Sequence, residues 1–358
     1  MKKNGWIRIV LIGLCVLLSL VLVAMAGVTW YIETRILGRV QSLDTMPTAD
    51  SYQIESYLQE TDAPDPEFTG PTFKAEEVTL PTETVAPIET GEEVINFLLV
   101  GQDRRNAYDI GRTDSMILVT VNKKSRTLTM TSFMRDIWVR IPGKFNERLN
   151  TAYLLGGSEL LAATLEDSFG VQIDHCIAID FSAFAKAVDI LGGVDIELTK
   201  KEADYLNRRG NWDVSPSTAW TWSLTEGVNH LTGEQALAYS RIRNVGGNYG
   251  NDDFGRTGRQ RAVLSVLVDK AKEMDVITAV SLVDQLIPLV ATDMSSDQIL
   301  DYVRELLPVL GNLELVSQRI PADGCYYLAM IDNKSVIIAD FEKNAQILRD
   351  ALSDEETE

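Results

Sequence analysis

Histidine is nearly missing from this chain: 358 residues hold two, His175 and His230, and no serine motif lies near either. A Ser-His-Asp relay needs an imidazole within hydrogen-bond reach of its nucleophile, so triad chemistry lacks its parts. The H-E-x-x-H helix and the G-x-x-x-x-G-K-[ST] loop are absent too, which removes the usual zinc-hydrolase and nucleotide-phosphate signatures. Both histidines therefore read as structural. Cysteine is scarce. Of three, Cys15 lies in a long apolar run, while Cys176 and Cys325 either pair in an oxidising compartment or stay as buried thiols. No internal repeat is present.

What the chain does have begins with IVLIGLCVLLSLVLVAMAGVTWYI, Ile9 to Ile32, which runs 24 positions without a charge. At about 1.5 Å rise per residue such a run crosses a bilayer, and residues 9–32 read as a transmembrane anchor. Lys2, Lys3 and Arg8 put residues 1–8 on the cytoplasmic side. Ala24-Met25-Ala26 has the pattern of a cleavage site, so a cleaved signal peptide is the rival reading. The apolar run continues through Val28, Trp30, Tyr31 and Ile32, which favours the anchor. Residues 33–93 then form an extracellular stalk, rich in Pro, Thr and Glu and without an apolar period. Between Gln41 and Glu93 thirteen acids face one base, Lys74, and the tail 353–358, SDEETE, adds four more acids. The formal net charge of −19 thus belongs mostly to these segments, and the folded domain spans 94–352.

Within that domain, VINFLLV at Val94 to Val100 reads as a buried strand, and Met116 to Asn122 and Thr127 to Phe133 flank the turn KKSR as a β-hairpin. If the three strands are neighbours in an antiparallel meander, the end of the first (Asp103), the start of the second (Arg112, Asp114) and the end of the third (Arg135) share one rim. A helix is expected over Ser158 to Phe169, closed by Gly170, then a strand at His175 to Asp180, a helix at Phe181 to Leu191 and a strand at Val194 to Leu198. Residues 204 to 230 look irregular; Trp212, Trp220 and Trp222 read as packing a long loop there. Thr232 with Gln235 forms a capping box for a helix to about Tyr239. A further helix follows the GGNYGNDD loop, capped by Asp252 or Asp253, with Arg256, Arg259 and Gln260 on one face. Helices near 278–290 and 296–309, a strand at Leu313 to Val316, two apolar runs in 326–339 and a helix at Phe341 to Leu352 complete an α/β fold: a layered α/β/α domain around a central mixed sheet.

Arginine is the residue in surplus. Residues 239–261, YSRIRNVGGNYGNDDFGRTGRQR, hold five arginines and no lysine. Its planar fork of donors matches the oxygens of phosphate or carboxylate, which a lysine point charge does not. In GQDRR, GRTDSM, SFMRD, NERLN, YSRIR and DFGRTGRQ, arginine recurs at strand ends, loops and helix starts. Surface ion pairing accounts for any one of them; six on elements that share a rim point to an anion site. Two phosphates bridged by a metal would need such charges, with Asp103 and Asp114 as natural magnesium ligands.

The ordered set GQDRR, RTDSM, SFMRD, RLNTAY with GG, VDILGGVDIEL, LTGEQALAYSRIR and DFGRTGRQR resembles the LytR-CpsA-Psr family of cell-wall glycopolymer transferases over roughly residues 94 to 270. The resemblance implies a membrane-anchored extracellular enzyme of a Gram-positive-type envelope. Its donor is an anionic glycopolymer, of teichoic acid or capsule type, on polyprenyl pyrophosphate. Its product is a phosphodiester to a peptidoglycan hydroxyl, with Mg2+ as cofactor and no nucleic acid involved. The lipid tail is expected in an apolar channel between sheet and helices. By motif, Asp103 and Asp114 match metal and catalytic aspartates, with Arg112 and Arg135 beside them in the catalytic set. Arg112, Arg135, Arg241, Arg243 and Arg256 match phosphate-binding arginines, and Arg104, Arg148, Arg259 and Gln260 are carried over as further contacts. Three positions depart from the pattern: Met134 replaces a frequent proline, Arg148 a lysine and Gly258 an acid. A lipid pyrophosphatase, or a non-catalytic sensor of lipid-linked polymer, are the alternatives.

Overall fold

The computed structural model describes residues 41–43, 49–62, 68–81, 83–103, 112–209, 222–243, 245–274, 278, 281–282 and 285–352. The anchor 9–32, Arg104, Trp212, Trp220 and the tail 353–358 lie outside the described residues. Among the described residues, no helix is long and apolar enough to cross a membrane.

The chain enters through β1 (Gln41–Ser42), α1 (Ser51–Leu58) and β2 (Thr72–Phe73), then forms β3 (Val94–Asp103), β4 (Arg112–Asn122), β5 (Thr127–Phe133) and a small hairpin of β6 (Trp138–Arg140) and β7 (Asn146–Arg148). Next come α2 (Asn150–Phe169), β8 (His175–Asp180), α3 (Phe181–Ile190), β9 (Val194–Leu198), α4 (Lys200–Arg209), β10 (Gly227–Leu231) and α5 (Gly233–Ser240). The last part holds α6 (Asp252–Lys272), β11 (Val290–Thr292), α7 (Ser296–Leu310), β12 (Glu314–Ile320), β13 (Tyr326–Ile331), β14 (Lys334–Ala339) and α8 (Phe341–Leu352).

Seven strands form the central mixed sheet in the order β1-β11-β8-β3-β4-β5-β12. The meander β3-β4-β5 is antiparallel, while β8 joins β3, and β12 joins β5, in parallel. Alternation along the strands feeds two cores. Leu98, Val100, Met116 and Leu118 pack on one face with Leu161, Leu165 and Phe169 of α2 and Phe341, Ala345 and Leu348 of α8. Ile95, Phe97, Ile117 and Val121 pack on the other, against Leu264 and Val268 of α6 and Tyr302 and Leu306 of α7. Helices on both faces give the three layers that the strand and helix pattern predicts. A third cluster, with Val194, Ile196, Leu206, Leu231, Ala236 and Tyr239, joins β9, β10, α4 and α5 into a lobe that includes Trp222.

Several expectations are corrected. The stalk does not extend to Glu93: Leu80, Val85 and Ile88 are buried in the main core, and the backbone N–H groups of Val85 and Ile88 donate to Asp167 and Gly170. Their spacing follows a groove over α2 rather than a helical or strand period, so no pattern marks them. The helix expected over Ser158 to Phe169, closed by Gly170, is present, but α2 also includes an earlier helical segment from Asn150, set off by Gly156 and Gly157, whose backbones are not helical. Residues 204 to 230 contain the rest of α4 and the strand β10, which pairs with β9. Cys176 and Cys325 are both free thiols, and burial pushes the Cys176 thiol up to about 12.

Candidate functional site

The ladder registers place the rim. Asp103 pairs with Arg112 at the end of β3, Met116 pairs with Phe133 where β4 meets β5, and Gln102 pairs with Asp180 at the end of β8. Asp114 lies within β4, two residues before the Met116–Phe133 pair, and Arg135 lies two residues past the end of β5; the Arg135 Nη1 donates to Asp114 Oδ1 at 2.6 Å. The first turn of α6 lies across the same rim. Arg256 Nη2 donates to the Asp114 carbonyl at 3.1 Å, and its Nη1 is 3.3 Å from Asp114 Oδ1. Arg243, from the loop between α5 and α6, approaches Asp114 Oδ1 at 3.8 Å. Three guanidinium groups from three separate segments therefore surround one carboxylate.

Two further aspartates complete the network. Asp253 accepts from Arg256 at 3.0 Å and lies 3.6 Å from Arg135 and 3.9 Å from Arg243. Asp136 accepts from Arg135 Nε at 3.3 Å and lies 3.7 Å from Arg148 Nη1. Arg148 is buried and also contacts Asp62 at 3.3 Å. From sequence alone Asp252 or Asp253 reads as a helix cap, and Asp136 carries no assignment. In the structure Asn251 is the N-cap of α6 and makes no side-chain cap bond. The adjacency of Asp136 to Arg135 and of Asp253 to the RTGR run was the signal for both.

The electrostatics single out one arginine. Asp114 is driven up by burial but more strongly down by Arg256, Arg135 and Arg243, to about 2. Arg135 is raised, because Asp136, Asp253 and Asp114 together outweigh its burial. Arg243 goes the other way: burial and the like charges of Arg256 and Arg135 lower it. Its ion pairs are the longest in the group and its side chain is 41% exposed, against 3% for Arg256. An anion arriving at Arg243 relieves repulsion instead of competing with a short salt bridge.

Arg241 sits at the β8 end of the rim, its guanidinium carbon 4.6 Å from the centre of the Phe181 ring. Gln260 is half-buried on α6. Arg259 is the clear departure. Its side chain is fully buried and donates to Glu202 at 2.8 Å and to the carbonyls of Ile242, Gly246 and Gly250. Three residues beyond Arg256 is about 60° round the helix, enough to aim it at α4 instead of the rim. The histidines stay structural and lie apart from this cluster: His230 pairs with Asp195 at 2.7 Å, and His175, at the start of β8, meets Tyr302 at 3.0 Å.

For a divalent cation, the fit is that of a shared site. Among the described residues no three His, Cys, Asp or Glu side chains are grouped to hold a metal. The carboxylates here already face guanidinium groups: Asp253 Oδ1 lies 2.8 Å from Arg256 Nη2, Asp136 Oδ1 3.7 Å from Arg148 Nη1, and Asp114 Oδ1 meets three arginines. Magnesium usually takes one or two carboxylates together with substrate phosphates, so this donor set fits an ion that arrives with a diphosphate. Behind the rim, Leu99, Val119 and Ile177 are only half-buried although they lie mid-strand in the central sheet, facing α6 and α7. That layer is apolar and incompletely closed.

A family model described as the LytR_cpsA_psr family matches residues 68–351. A curated relative, the polyisoprenyl-teichoic acid–peptidoglycan teichoic acid transferase TagU of Bacillus mycoides (strain KBAB4), is 32% identical over 240 residues, covering 65% of this chain and 70% of its own. Among solved structures, TagT bound to LIIa-WTA has a TM-score of 0.59 at 24% identity, covering 75% of this chain and 94% of that one. The LytR-CPS2A-psr family protein YwtF (TagT) with bound octaprenyl pyrophosphate lipid has a TM-score of 0.55 at 24% identity, covering 76% and 95%. The structural likeness carries the fold.

Proposed function

The chain belongs to the LytR-CpsA-Psr family, and from that premise we propose that it is a glycopolymer transferase, moving an anionic polymer from polyprenyl pyrophosphate to a peptidoglycan hydroxyl as a phosphodiester. One observation carries the reading most directly: Arg135, Arg243 and Arg256 converge on Asp114 from β5, a loop and α6. The relatives' names supply the polymer class. TagU is named for teichoic acid transfer, and a TagT structure carries a polyprenyl pyrophosphate lipid. A membrane anchor at 9–32, an external catalytic domain and a peptidoglycan acceptor belong to the same proposal.

The chemistry is a charge problem. The acceptor oxygen bonds to the polymer-side phosphorus as the bond to the lipid phosphate breaks, and negative charge grows on the departing lipid monophosphate. Preorganised guanidinium groups stabilise that charge without reorganising water. Arg243, with its loose ion pairs, grips the diphosphate; Arg135 and Arg256, locked by carboxylates, set the field around it. Arg112 and Arg241 are assigned to the same diphosphate by motif. Asp114, at about 2, is too weak a base to take the hydroxyl proton at neutral pH. Magnesium, assigned by motif to Asp103 and Asp114 together with the phosphates, would add positive charge at the same oxygens. The half-buried apolar layer of Leu99, Val119 and Ile177 suits a polyprenyl tail.

The test is transfer by the purified protein from lipid-linked polymer, with and without peptidoglycan. Arg243→Ala and Asp103→Ala should each lose at least about 100-fold in rate with the fold intact. Near wild-type transfer by either variant would count against the site. Release of free polymer whether or not acceptor is present would instead identify a pyrophosphatase.

A further inference from the structure

The rim carries a second pair of arginines that no carboxylate cluster neutralises. Arg319 stands near the end of β12, paired in register with Ser132 of β5. Its guanidinium carbon lies 4.6 Å from the centre of the Phe254 ring, and Phe254 stacks on Tyr326 at 5.3 Å. Phe254, Gly258 and Arg261 share one stripe of α6, being four and three residues apart. The Arg261 Nη1 is buried without a hydrogen-bond partner among the described residues. Arg319 has one carboxylate, Asp323, at 2.5 Å, and that side chain is 89% exposed.

Position 258 explains why Arg261 is left open. An acid there would pair with Arg261 three residues on. Glycine stands there instead, and a Cβ on it would come within 2.8 Å of Tyr249. The stripe therefore holds a ring that is 42% exposed in place of a counter-charge. The result mirrors Arg243. Burial and the neighbouring Arg319 lower Arg261 to about 10, as burial and Arg256 lower Arg243.

We propose that Arg261 and Arg319, with Phe254 and Tyr249 as aromatic walls, form a second anion subsite that takes a phosphate of the donor polymer beyond the diphosphate. This rests on the transferase reading above. The donor is the better occupant because it is already tethered: β12 lies two strands from β4, about 10 Å across the sheet, within reach of a polymer leaving the diphosphate at Asp114. Guanidinium forks suit phosphate oxygens, and aromatic faces suit the apolar side of a sugar.

A lipid-free, phosphodiester-linked trimer of glycerol phosphate, titrated calorimetrically into the full chain in detergent, separates this subsite from the transfer reaction. The Arg261→Gln, Arg319→Gln double variant should bind the trimer about tenfold more weakly, the effect of losing charge-assisted hydrogen bonds. Asp323→Asn should do the reverse and tighten it severalfold, since Arg319 then has no carboxylate partner and keeps only its bond to the Pro321 carbonyl. In transfer assays the double variant should raise the donor KM with kcat little changed, and only for polymer carrying repeat phosphates. Equal trimer affinity in wild type and both variants would overturn the subsite even if transfer proceeds. A KM effect on peptidoglycan alone would overturn the donor assignment in favour of an acceptor carboxylate. Trimer binding that responds as stated, in a protein that transfers nothing, would leave the subsite standing and remove the transferase reading.

Discussion

Asp114 shows how one residue can be both the centre of a site and a fold determinant. Its carboxyl is held at about 2, below its ordinary 3.8, by Arg256, Arg135 and Arg243, and only 13% of the side chain is exposed. A depression of that size corresponds to about 2 kcal/mol of stability. Because the folded value is lowered, the contribution is present in full above the unfolded value and is lost as pH falls through the folded one. Asp136 works against it, since burial, with Asp253 adding to it, raises its carboxyl against the pull of Arg135. A comparison with Asp114→Asn isolates the wanted slope. By urea unfolding, wild type should exceed the variant by about 2 kcal/mol at pH 6, and the gap should close between pH 4 and pH 2. A gap independent of pH would mean that the three guanidinium groups do not act on Asp114 electrostatically. At this scale the pattern of arginines was legible, and so was Asp114, because strand order alone put them on one rim. Asp253 was not, because an acid at the start of a helix reads first as a cap, and only tertiary placement brings Arg135 and Arg243 to it.

Among the elements, α4 and α6 are joined by a buried ion pair that positions the site without facing it. Glu202 accepts from Arg259, and its second oxygen accepts from the backbone and hydroxyl of Thr199. Arg259 in turn ties down the carbonyls of Ile242, Gly246 and Gly250, the loop that leads out of Arg241 and Arg243. Gly247, at a φ of +119°, allows this closure: a Cβ there would lie 2.6 Å from Glu202 Oε1. Removing one partner leaves the other charge buried and unpaired. Glu202→Gln should cost about 3 kcal/mol, read as a lower urea midpoint, and should speed hydrogen exchange in residues 245–250. Unchanged exchange there would show that the loop is held by other contacts. The pair also explains the missed helix. In KKEADYLNRR a charged Glu202 sits at 0% exposure beside Ala203 and Leu206, so the apolar stripe is interrupted by a carboxylate, and the period cannot be read without its partner 57 residues on.

The whole domain is larger than its motifs. By composition residues 33–93 read as a linker, and the Pro, Thr and Glu content of that segment is real. Yet Leu80, Val85 and Ile88 are 9%, 6% and 2% exposed, each within the main core. Their chain passes so close over the end of α2 that a Cβ at Gly170 would lie 2.3 Å from the Ala86 carbonyl. Further upstream, Tyr57 is buried and its hydroxyl donates to Asn150, and Asp62 reaches both Arg148 and the Ser335 N–H. Composition averages over a window, while burial here depends on three apolar side chains spaced to fit a groove that other elements build. A chain beginning at Gly91 should therefore be less stable than one beginning at Ala49 by roughly 5 kcal/mol, the scale of re-exposing three apolar side chains. The measurement is the urea midpoint of each, with the unfolding slope checked for two-state behaviour. Should the shorter chain fail to fold, Ile88→Ala in the full chain carries the same argument, with an expected loss of about 2 to 3 kcal/mol. Equal midpoints for the two chains, or an Ile88→Ala variant as stable as wild type, would return residues 68–93 to the role of a tether. Because Asp62 contacts Arg148, and Arg148 contacts Asp136 at the rim, loss of this segment should also weaken phosphate binding before the fold itself is lost.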